Sequence, residues 1–207
     1  TDRYYYNGKE INIIERLPVI LKKIKSIKTV LIVNYPGKKN LYFKKIKGIK
    51  IFYFNQIKKI QKSEIKFNRF DFDHELAILY SSGTTGKPKC ICHRAGGVLL
   101  QHLKEHQLHC EVKPGDNVFY FTTCGWMMWN WLLTFLASKA SIVLFDGSPM
   151  FRKNDLLFKI AEEEKITLFG ISAKYLDQLR KLNLKIKSKY KLNKLKTICS
   201  TGSPLSK

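Results

Sequence analysis

The sequence predicts an α/β fold, with a layered, largely parallel sheet flanked by helices. First, short runs of β-branched and aromatic residues alternate with stretches of helical apolar spacing from about residue 76 onward. Second, turn signals separate these segments, as at Lys113-Pro114-Gly115-Asp116 and Asp146-Gly147-Ser148-Pro149. Third, 44% of the 207 residues are hydrophobic and 13% are aromatic. This composition can form a core and excludes a disordered tail, a collagen or a disulfide mini-protein.

The same patterns predict the individual elements in chain order. Strands are expected at residues 29–33, 47–54, 76–80, 90–93, 117–122, 140–145, 166–171 and 195–200. Helices are expected at residues 10–28 with an interruption at Pro18, and at 96–109, 129–138, 155–165 and 173–181. The strand at 76–80 is nearly continuous in apolar residues, which predicts burial on both faces.

The chain is strongly basic, with 38 Lys and Arg against 16 Asp and Glu and a formal net charge of +22. Only six of the basic residues are Arg, and the Lys excess accompanies many Ile and Asn residues, which favours a compositional origin. A nucleic-acid binder would more often use the planar Arg side chain. Residues 42–54 interleave basic and aromatic residues, but a strand pair with a solvated Lys face explains them better. We therefore expect no nucleic-acid partner.

The five cysteines predict a reducing environment. Their number is odd and their spacing irregular, which argues against a disulfide framework and favours a cytoplasmic location. No apolar run reaches 18 residues, so no transmembrane helix is expected. The chain begins without Met or an apolar signal core, which suggests that it begins within a longer protein. Oligomeric state is not predicted.

Three histidines could either bind a ligand, such as Zn²⁺ or a phosphate, or have no binding role. His102 and His106 are four positions apart on a predicted helix, a spacing that can hold Zn²⁺. No third ligand is placed to complete such a site, so a polar helix face is the preferred interpretation and no metal site is predicted. His93 follows a polar loop closely, and both a phosphate contact and simple packing remain open for it.

The segment with the strongest chemical signal is the polar loop at residues 81–89, which follows the apolar strand at 76–80. It reads Ser-Ser-Gly-Thr-Thr-Gly-Lys-Pro-Lys. Glycines let backbone N–H groups approach an anion, hydroxyls donate to phosphate oxygens and lysines neutralise charge. The composition therefore favours a loop that binds nucleotide phosphates over an ordinary surface turn.

The loop is not a Walker A motif. That motif needs four residues between its glycines and a Ser or Thr after the Lys. Here two residues separate Gly83 from Gly86, and Pro88 follows Lys87. A kinase-like or GTPase-like protein is therefore disfavoured.

Together with Tyr80, this loop resembles the phosphate loop of the adenylate-forming superfamily, which includes acyl-CoA synthetases, peptide-synthetase adenylation domains and luciferases. The strand at 90–93 and the helix opening at Gly96-Gly97 continue the resemblance. Many members carry Gly after the Pro-Lys pair, where this chain has Cys90. The resemblance is dense over residues 71–207 and weaker over residues 1–70. It implies that residues 1–207 are part of a large N-terminal AMP-binding domain and that the C-terminal lid domain lies outside them.

Further segments narrow the resemblance to a branch of the superfamily. The form Gly-Trp-Met-Met-Trp-Asn at 125–130 is typical of acetoacetyl-CoA synthetases, and the segments at 169–176 and 200–206 are similar to that family as well. By resemblance, Trp126, Met127 and Met128 line the acyl pocket, while Trp129 and Trp131 are expected to pack in the core.

The resemblance also implies the roles of the two nucleotide-binding segments. The residues that would hold the β- and γ-phosphates of ATP are Ser81, Ser82, Gly83, Thr84, Thr85, Gly86, Lys87 and Lys89. The residues that would edge the adenine are Gly202, Ser203 and Pro204, with Ser203 in place of the Glu found in acetyl-CoA synthetase relatives.

The reaction implied by the resemblance has two steps. The acetoacetate carboxylate attacks the α-phosphate of MgATP to give an acyl-adenylate, and the thiol of CoA then displaces AMP. The Mg²⁺-holding Thr-Glu motif, the ribose-binding Asp and the lid with its catalytic Lys have no counterpart among these residues. We therefore expect no catalytic residue in residues 1–207 and no ligase activity from this segment alone.

Three alternatives remain open at this stage. A sister synthetase acting on acetate, propionate or another short acid is the nearest. A basic nucleic-acid-binding module would bind with steep salt dependence that survives mutation of Lys87 and Lys89. A nucleotide-binding scaffold that has lost its chemistry would lack the distal Lys in the full-length sequence.

Overall fold

The computed structural model describes residues 1–57, 64–81 and 86–205. The contacts divide the chain into two compact units. One contains Thr1–Phe67 and Asp146–Phe151, and the other contains Asn68–Phe145 and Arg152–Lys207. Each unit is described by itself below. None of the helices in the described ranges is both long and apolar enough to cross a membrane.

The first unit opens with a hairpin that the sequence analysis did not predict. Strands β1 (Arg3–Tyr6) and β2 (Lys9–Asn12) pair antiparallel. The two residues between them, Asn7 and Gly8, have φ values of 48° and 78°. Asn-Gly at two successive left-handed positions is the sequence that closes a two-residue hairpin most readily.

The helix expected over residues 10–28 is wrong at both ends, because β2 continues to Asn12 and the α-helix ends at Lys23. A short 3₁₀ turn at Ile14–Arg16 leads into helix α1 (Leu17–Lys23). Pro18 lies in the first turn of α1, where its missing N–H leaves no intrahelical bond unmade, so it starts the helix and does not interrupt it.

The predicted strands at 29–33 and 47–54 are present as a parallel pair. They are β3 (Thr29–Ile32) and β4 (Lys50–Tyr53), and a single helical turn, α2 (Phe54–Ile57), follows. Buried Asp2 joins the loop after β3 to the N-terminus, because its carboxylate accepts hydrogen bonds from the backbone N–H groups of Tyr35 and Leu41.

The second unit contains an antiparallel hairpin, β5 (Glu75–Tyr80) and β6 (Cys90–Arg94), which forms its own two-stranded sheet. The expectation that 76–80 is buried on both faces is wrong for the described structure. Leu76, Ile78 and Tyr80 are 55%, 57% and 70% exposed, whereas Ala77 and Leu79 are half-buried. The pleat of a two-stranded sheet directs successive side chains to opposite faces, and only one face of this hairpin is covered.

The main sheet of this unit confirms the predicted parallel fold. Its strands are β7 (Asn117–Tyr120), β8 (Ser141–Val143), β9 (Leu168–Ser172) and β10 (Thr197–Thr201). They lie in the order β10-β9-β7-β8, and every neighbouring pair is parallel. The chain adds β8 on one side of β7 and then β9 and β10 on the other. The strand order therefore reverses at β7, where α/β folds place their ligands beyond the carboxyl ends of the strands.

Helices connect and cover these strands. Their bounds are α3 (Ala95–Lys104), α4 (Met127–Leu133), α5 (Leu156–Glu163), α6 (Ala173–Lys181) and α7 (Ile186–Lys189). A π-helical turn, Glu105–His109, extends α3, and a 3₁₀ turn, Thr134–Ser138, extends α4. The Ser172 hydroxyl caps α6 by accepting from the N–H of Tyr175 at 3.3 Å, which fixes the start of that helix at its predicted position.

Each face of the parallel sheet has its own aromatic core. On one face, Phe119 and Phe158 both stack against Phe169, at centroid distances of 5.4 and 5.0 Å, which packs α5 on that side. On the other face, Tyr120 meets Trp131 of α4 edge-on at 5.8 Å. Helices therefore cover both faces, as the sequence predicted.

Packing on the face of the sheet that carries Tyr120 depends on a close approach between Tyr120 and Gly170. These two residues are register partners in β7 and β9. A Cβ atom placed on Gly170 would lie 1.9 Å from Cδ2 of Tyr120. Real Cβ contacts are far longer, so the ring occupies the space that any other residue at 170 would need. The Tyr120 ring also contacts Trp126, at 6.3 Å between centroids, so Gly170 positions the aromatic segment that begins the next helix.

We predict that Gly170→Ala lowers the free energy of unfolding by about 1–3 kcal/mol, because the methyl group displaces the Tyr120 ring from the sheet. Urea unfolding of the full-length protein, followed by tryptophan fluorescence, measures the change.

Gly97→Ala is the matched control, because a Cβ atom on Gly97 meets nothing within 4 Å. Alanine also favours a helix interior over glycine, so this variant should be neutral or more stable. Equal stability of the wild type and Gly170→Ala would contradict the argument.

Candidate functional site

The predicted phosphate loop is the segment of chain that joins β5 to β6. The Ser81 N–H donates to the Lys89 carbonyl at 3.0 Å, which closes the neck of the loop. Gly86, Lys87 and Lys89 are exposed, and neither lysine forms an ion pair with a described acidic residue. The remaining predicted residues, Ser82, Gly83, Thr84 and Thr85, lie outside the described residues.

The predicted adenine-edging segment and the aromatic segment leave the same edge of the parallel sheet. Trp126 follows the carboxyl end of β7, and Gly202 follows the carboxyl end of β10, two strands away. Gly202 has φ of +95°, a conformation that side chains other than glycine rarely adopt. Ser203 and Pro204 come next and are exposed. Both segments therefore border the crevice where parallel sheets bind ligands.

The three residues predicted to line the acyl pocket face different surroundings. Met127 lies on the wall of a cavity, whereas Met128 packs against the buried cluster around Tyr120 and Trp131. Trp126 is 38% exposed and contacts Tyr120. The expectation for the other two tryptophans holds, because Trp131 is buried and Trp129 packs against the same cluster.

The cavity has a volume of about 440 Å³ and lies between the β5–β6 hairpin, α3 and α4. Both the hairpin and the two helices contribute apolar and polar side chains to its walls, and Arg94 of β6 is the one arginine among the described lining residues. The residues that bear on its chemistry are Leu79, Gln101, His102, Glu105, Met127 and Asn130. Leu79, which is two positions before Ser81, is the lining residue of β5 nearest in sequence to the polar loop. A mostly apolar cavity with a few convergent polar groups is the usual form of a small-molecule site.

Glu105 joins the two helices of the cavity wall. Its carboxylate accepts from Nε1 of Trp131 at 2.7 Å through one oxygen and from Nε2 of Gln101 at 2.7 Å through the other. Hydrogen bonds to a charged acceptor are stronger than neutral ones. The bond from Trp131 therefore holds α4 against the segment that extends α3, while the bond from Gln101 orients the carboxylate. Sequence reasoning missed Glu105, and only its spacing of four residues from Gln101 could have indicated a pair.

One ring nitrogen of His102 carries no proton, as the hydrogen bonds around Thr134 show. The Thr134 hydroxyl donates its single proton to the Trp131 carbonyl at 2.8 Å, so its oxygen must accept from Nδ1 of His102 at 2.9 Å. Burial lowers the pKa of His102. The neutral ring therefore carries its proton on Nδ1, and Nε2 is an acceptor. His93 also lines the cavity.

The expected polar helix face at His102 and His106 is wrong, because both side chains are buried. His106 is fully buried and stacks on Phe135 at 3.5 Å between centroids, with Trp131 edge-on at 4.9 Å. Its Nε2 has no hydrogen-bond partner among the described residues. Burial lowers the pKa of His106 to about 4, so the ring is neutral at physiological pH. The described ranges contain no group of three or more His, Cys, Asp or Glu side chains that could hold a metal ion.

A parallel sheet flanked by helices, together with a segment rich in Ser, Thr, Gly and Lys between two strands, is typical of a nucleotide-binding α/β enzyme. The chain belongs to the family described as AMP-binding enzyme, which matches residues 8–207.

Relatives within this family confirm the narrower resemblance. Acetoacetyl-coenzyme A synthetase of Rhizobium meliloti (strain 1021) is 44% identical over 205 residues, which cover 99% of this chain and 31% of that protein. Acetoacetyl-CoA synthetase of Gallus gallus is 44% identical over 204 residues, covering 97% of this chain and 30% of that protein. The solved structure of acetoacetyl-CoA synthetase from Streptomyces lividans is similar with a TM-score of 0.87 and 36% identity, covering 99% of this chain and 30% of that chain. The chain thus spans about a third of the length of the relatives that it matches.

We predict that buried His106 makes the protein less stable in mild acid. The unfolded chain takes up a proton on this ring as the pH falls through about 6.5, whereas the folded chain resists until about pH 4. Stability is therefore level above pH 6.5 and falls between these values. The loss attributable to His106 between pH 7 and pH 5 should be about 2 kcal/mol.

His106→Gln cannot take up this proton, so its stability should change less between pH 7 and pH 5 than that of the wild type. His109→Gln, at an exposed position on the same helical segment, should keep the wild-type dependence. Urea unfolding at both pH values tests this, and identical pH dependence in wild type and His106→Gln would refute it.

Proposed function

We propose that the full-length protein containing this chain is an ATP-dependent, AMP-forming acid–thiol ligase. It activates acetoacetate as an acyl-adenylate and transfers the acyl group to CoA. The observation that carries the proposal is the polar loop at 81–89, held at its neck by the Ser81–Lys89 hydrogen bond, in a chain matched to the AMP-binding family over residues 8–207. The narrower choice of substrate rests on the relatives, which are acetoacetyl-CoA synthetases.

The loop would act on the triphosphate by positioning it and neutralising its charge. Lys87 and Lys89 are exposed next to the closed neck and have no described acidic partner, so both ammonium groups are free to meet phosphate oxygens. Fixed positive charge aimed at the pyrophosphate leaving group lowers the barrier to attack at the α-phosphorus. We extend this role to the hydroxyls and backbone N–H groups of residues 81–86.

The carboxyl edge of the parallel sheet would hold the nucleoside. Gly202 leaves β10 in a left-handed conformation, which turns the chain immediately beyond the sheet, and Ser203 and Pro204 follow. Trp126 borders the same edge beyond β7. The adenine would lie along residues 202–204, with the α-phosphate between it and the polar loop.

The cavity beside Met127 is the best candidate for the acyl site. Met127 supplies an apolar wall, while Asn130 brings a carboxamide that makes no hydrogen bond with another described residue. The amide N–H can donate to a ketone oxygen, a feature that acetoacetate has and acetate lacks. Mg²⁺ would neutralise phosphate charge in the first step. No described cluster suits it, so we assign no Mg²⁺ ligand within this chain.

Loss of either loop lysine should weaken the first step. We predict that Lys87→Ala and Lys89→Ala each reduce kcat/KM for ATP by roughly 10- to 100-fold in acetoacetate-dependent ATP–pyrophosphate exchange by the full-length protein, since a charge-assisted contact is worth about 1.5–3 kcal/mol.

Lys181→Ala is the matched control and should leave exchange unchanged, because Lys181 is an exposed residue in the last turn of α6. Exchange at the wild-type rate in both loop variants would remove the loop from the mechanism.

The substrate is tested separately, by ATP–pyrophosphate exchange of the full-length protein with acetate, propionate, butyrate and acetoacetate. Acetoacetate should give the highest kcat/KM. Preference for acetate or propionate would keep the ligase class but replace the substrate, and no exchange with any carboxylic acid would defeat the proposed chemistry.

A further inference from the structure

Two cysteines that are far apart in sequence meet in the second unit. The Sγ atoms of Cys110 and Cys199 are 3.9 Å apart, although 89 positions separate the residues. Both are free thiols and half-buried, whereas Cys90, Cys92 and Cys124 are exposed. Cys110 ends the helical segment that extends α3, and Cys199 lies at the centre of β10.

The fold, and not a flexible loop, sets this approach. Cys199 pairs in register with Gly170, which in turn pairs with Tyr120, so these three residues lie on the same face of the parallel sheet. Thr197 is two positions earlier on that face, and its hydroxyl donates to the Cys110 carbonyl at 3.4 Å. Both thiols pack against the buried cluster around Tyr120. The backbone of Cys110 and the strand of Cys199 are therefore held together by contacts that do not involve sulfur.

We propose that Cys110 and Cys199 are a redox modification site that closes to a disulfide when the protein meets a peroxide. A disulfide places its sulfurs about 2.05 Å apart, so closure brings the two sulfurs nearly 2 Å closer than they are in the thiol form. Rotation of the two side chains can supply this movement, because the backbone segments are already in contact through Thr197. The exposed cysteines on β6 do not offer the same geometry, since Cys90 and Cys92 are two positions apart on one extended strand.

The contact also distinguishes the two thiols chemically. A hydrogen bond from the Cys199 S–H stabilises the thiolate of Cys110 and lowers its pKa, while the same hydrogen bond and burial raise the pKa of Cys199. The thiolate is the form that attacks peroxide. We assign Cys110 as the attacking residue and Cys199 as the resolving one, and the dimedone labelling described below tests this order.

The reaction balances with one peroxide per pair. The Cys110 thiolate attacks one oxygen of hydrogen peroxide, the O–O bond breaks, and the products are a sulfenic acid on Cys110 and hydroxide, which takes a proton to become water. The Cys199 sulfur then attacks the Cys110 sulfur as its proton leaves, the S–O bond breaks and a second water departs. Two thiols are oxidised to one disulfide, and one hydrogen peroxide is reduced to two waters.

The bridge would tie the end of the α3 segment to β10. Gly202 is three positions after Cys199, so the strand that becomes cross-linked is the one that leads into the segment proposed to edge the adenine. The site itself does not depend on the proposed ligase function, because only the geometry of the two thiols carries it.

The test uses the full-length protein treated with hydrogen peroxide, blocked with N-ethylmaleimide and digested without reductant. Mass spectrometry should find the Cys110 and Cys199 peptides joined, two hydrogens lighter than the sum of the free peptides, and reduction should release them. With dimedone present, Cys199→Ser should carry the label on Cys110, and Cys110→Ser should leave Cys199 unlabelled. Cys124→Ser is the matched control and should form the cross-link like the wild type.

One result would overturn the proposed disulfide, and another would overturn the proposed order of attack. One is a wild-type protein in which Cys110 and Cys199 remain reactive towards N-ethylmaleimide after the exposed Cys124 has been oxidised. The other is dimedone labelling of Cys199 in Cys110→Ser, which would reverse the order of attack. The wild-type measurement needs no substitution, so misfolding of a variant cannot obscure it.

Discussion

The contact between the Tyr120 ring and the bare backbone of Gly170 is the constraint on which the second unit depends. Because Gly170 has no side chain, β7 and β9 can pair while the Tyr120 ring occupies one face of the sheet. Phe119 and Phe169 stack on the other face. Because Tyr120 also meets Trp126 and Trp131, the contact extends from the sheet into α4. The position of the cavity wall at Trp131 therefore depends on Gly170, through the Tyr120 ring.

Three polar side chains, Glu105, His102 and His106, take part in the packing of the α3 segment on α4. Glu105 takes two hydrogen bonds, His102 takes one through a defined tautomer, and His106 stacks on an aromatic ring with one nitrogen unpartnered among the described residues. A polar group buried without a partner costs stability, so the His106 ring makes this interface less stable than an apolar ring of the same shape would. An apolar residue at position 106 would remove the unpartnered ring nitrogen. Apolar residues at the other two positions would remove the polar side chains of Glu105 and His102 from the cavity wall.

Alternation of strands and helices was enough to predict the parallel sheet and its helices, and α6 begins and ends where the pattern placed it. Its apolar periodicity coincides with a capping Ser, so two independent local signals agree. The N-terminal hairpin was not predicted from the sequence, although Asn7-Gly8 is a typical hairpin turn. The helical apolar spacing of residues 10–28 outweighed that turn signal. The burial of β5 was overestimated because a run of apolar residues does not specify whether a second sheet covers it.

The site was predictable where the chemistry is local and not where it is tertiary. A dense run of Ser, Thr, Gly and Lys predicts a phosphate-binding loop from sequence alone, since all of its possible donors lie within nine residues. The pairing of Glu105 with Trp131 joins residues 26 positions apart, and that of Cys110 with Cys199 joins residues 89 apart. No periodicity in the sequence encodes such distances, because the path of the chain through the sheet creates them.

The open face of the β5–β6 hairpin also affects how copies of this chain behave in solution. Leu76, Ile78 and Tyr80 form an apolar ribbon of the kind that adheres to its own copies, while a net charge of +22 drives those copies apart. Dissolved ions shorten the reach of that repulsion to about 8–10 Å near physiological ionic strength and leave hydrophobic adhesion largely untouched. We therefore expect copies of this chain to stay apart in dilute buffer and to associate more as ions are added.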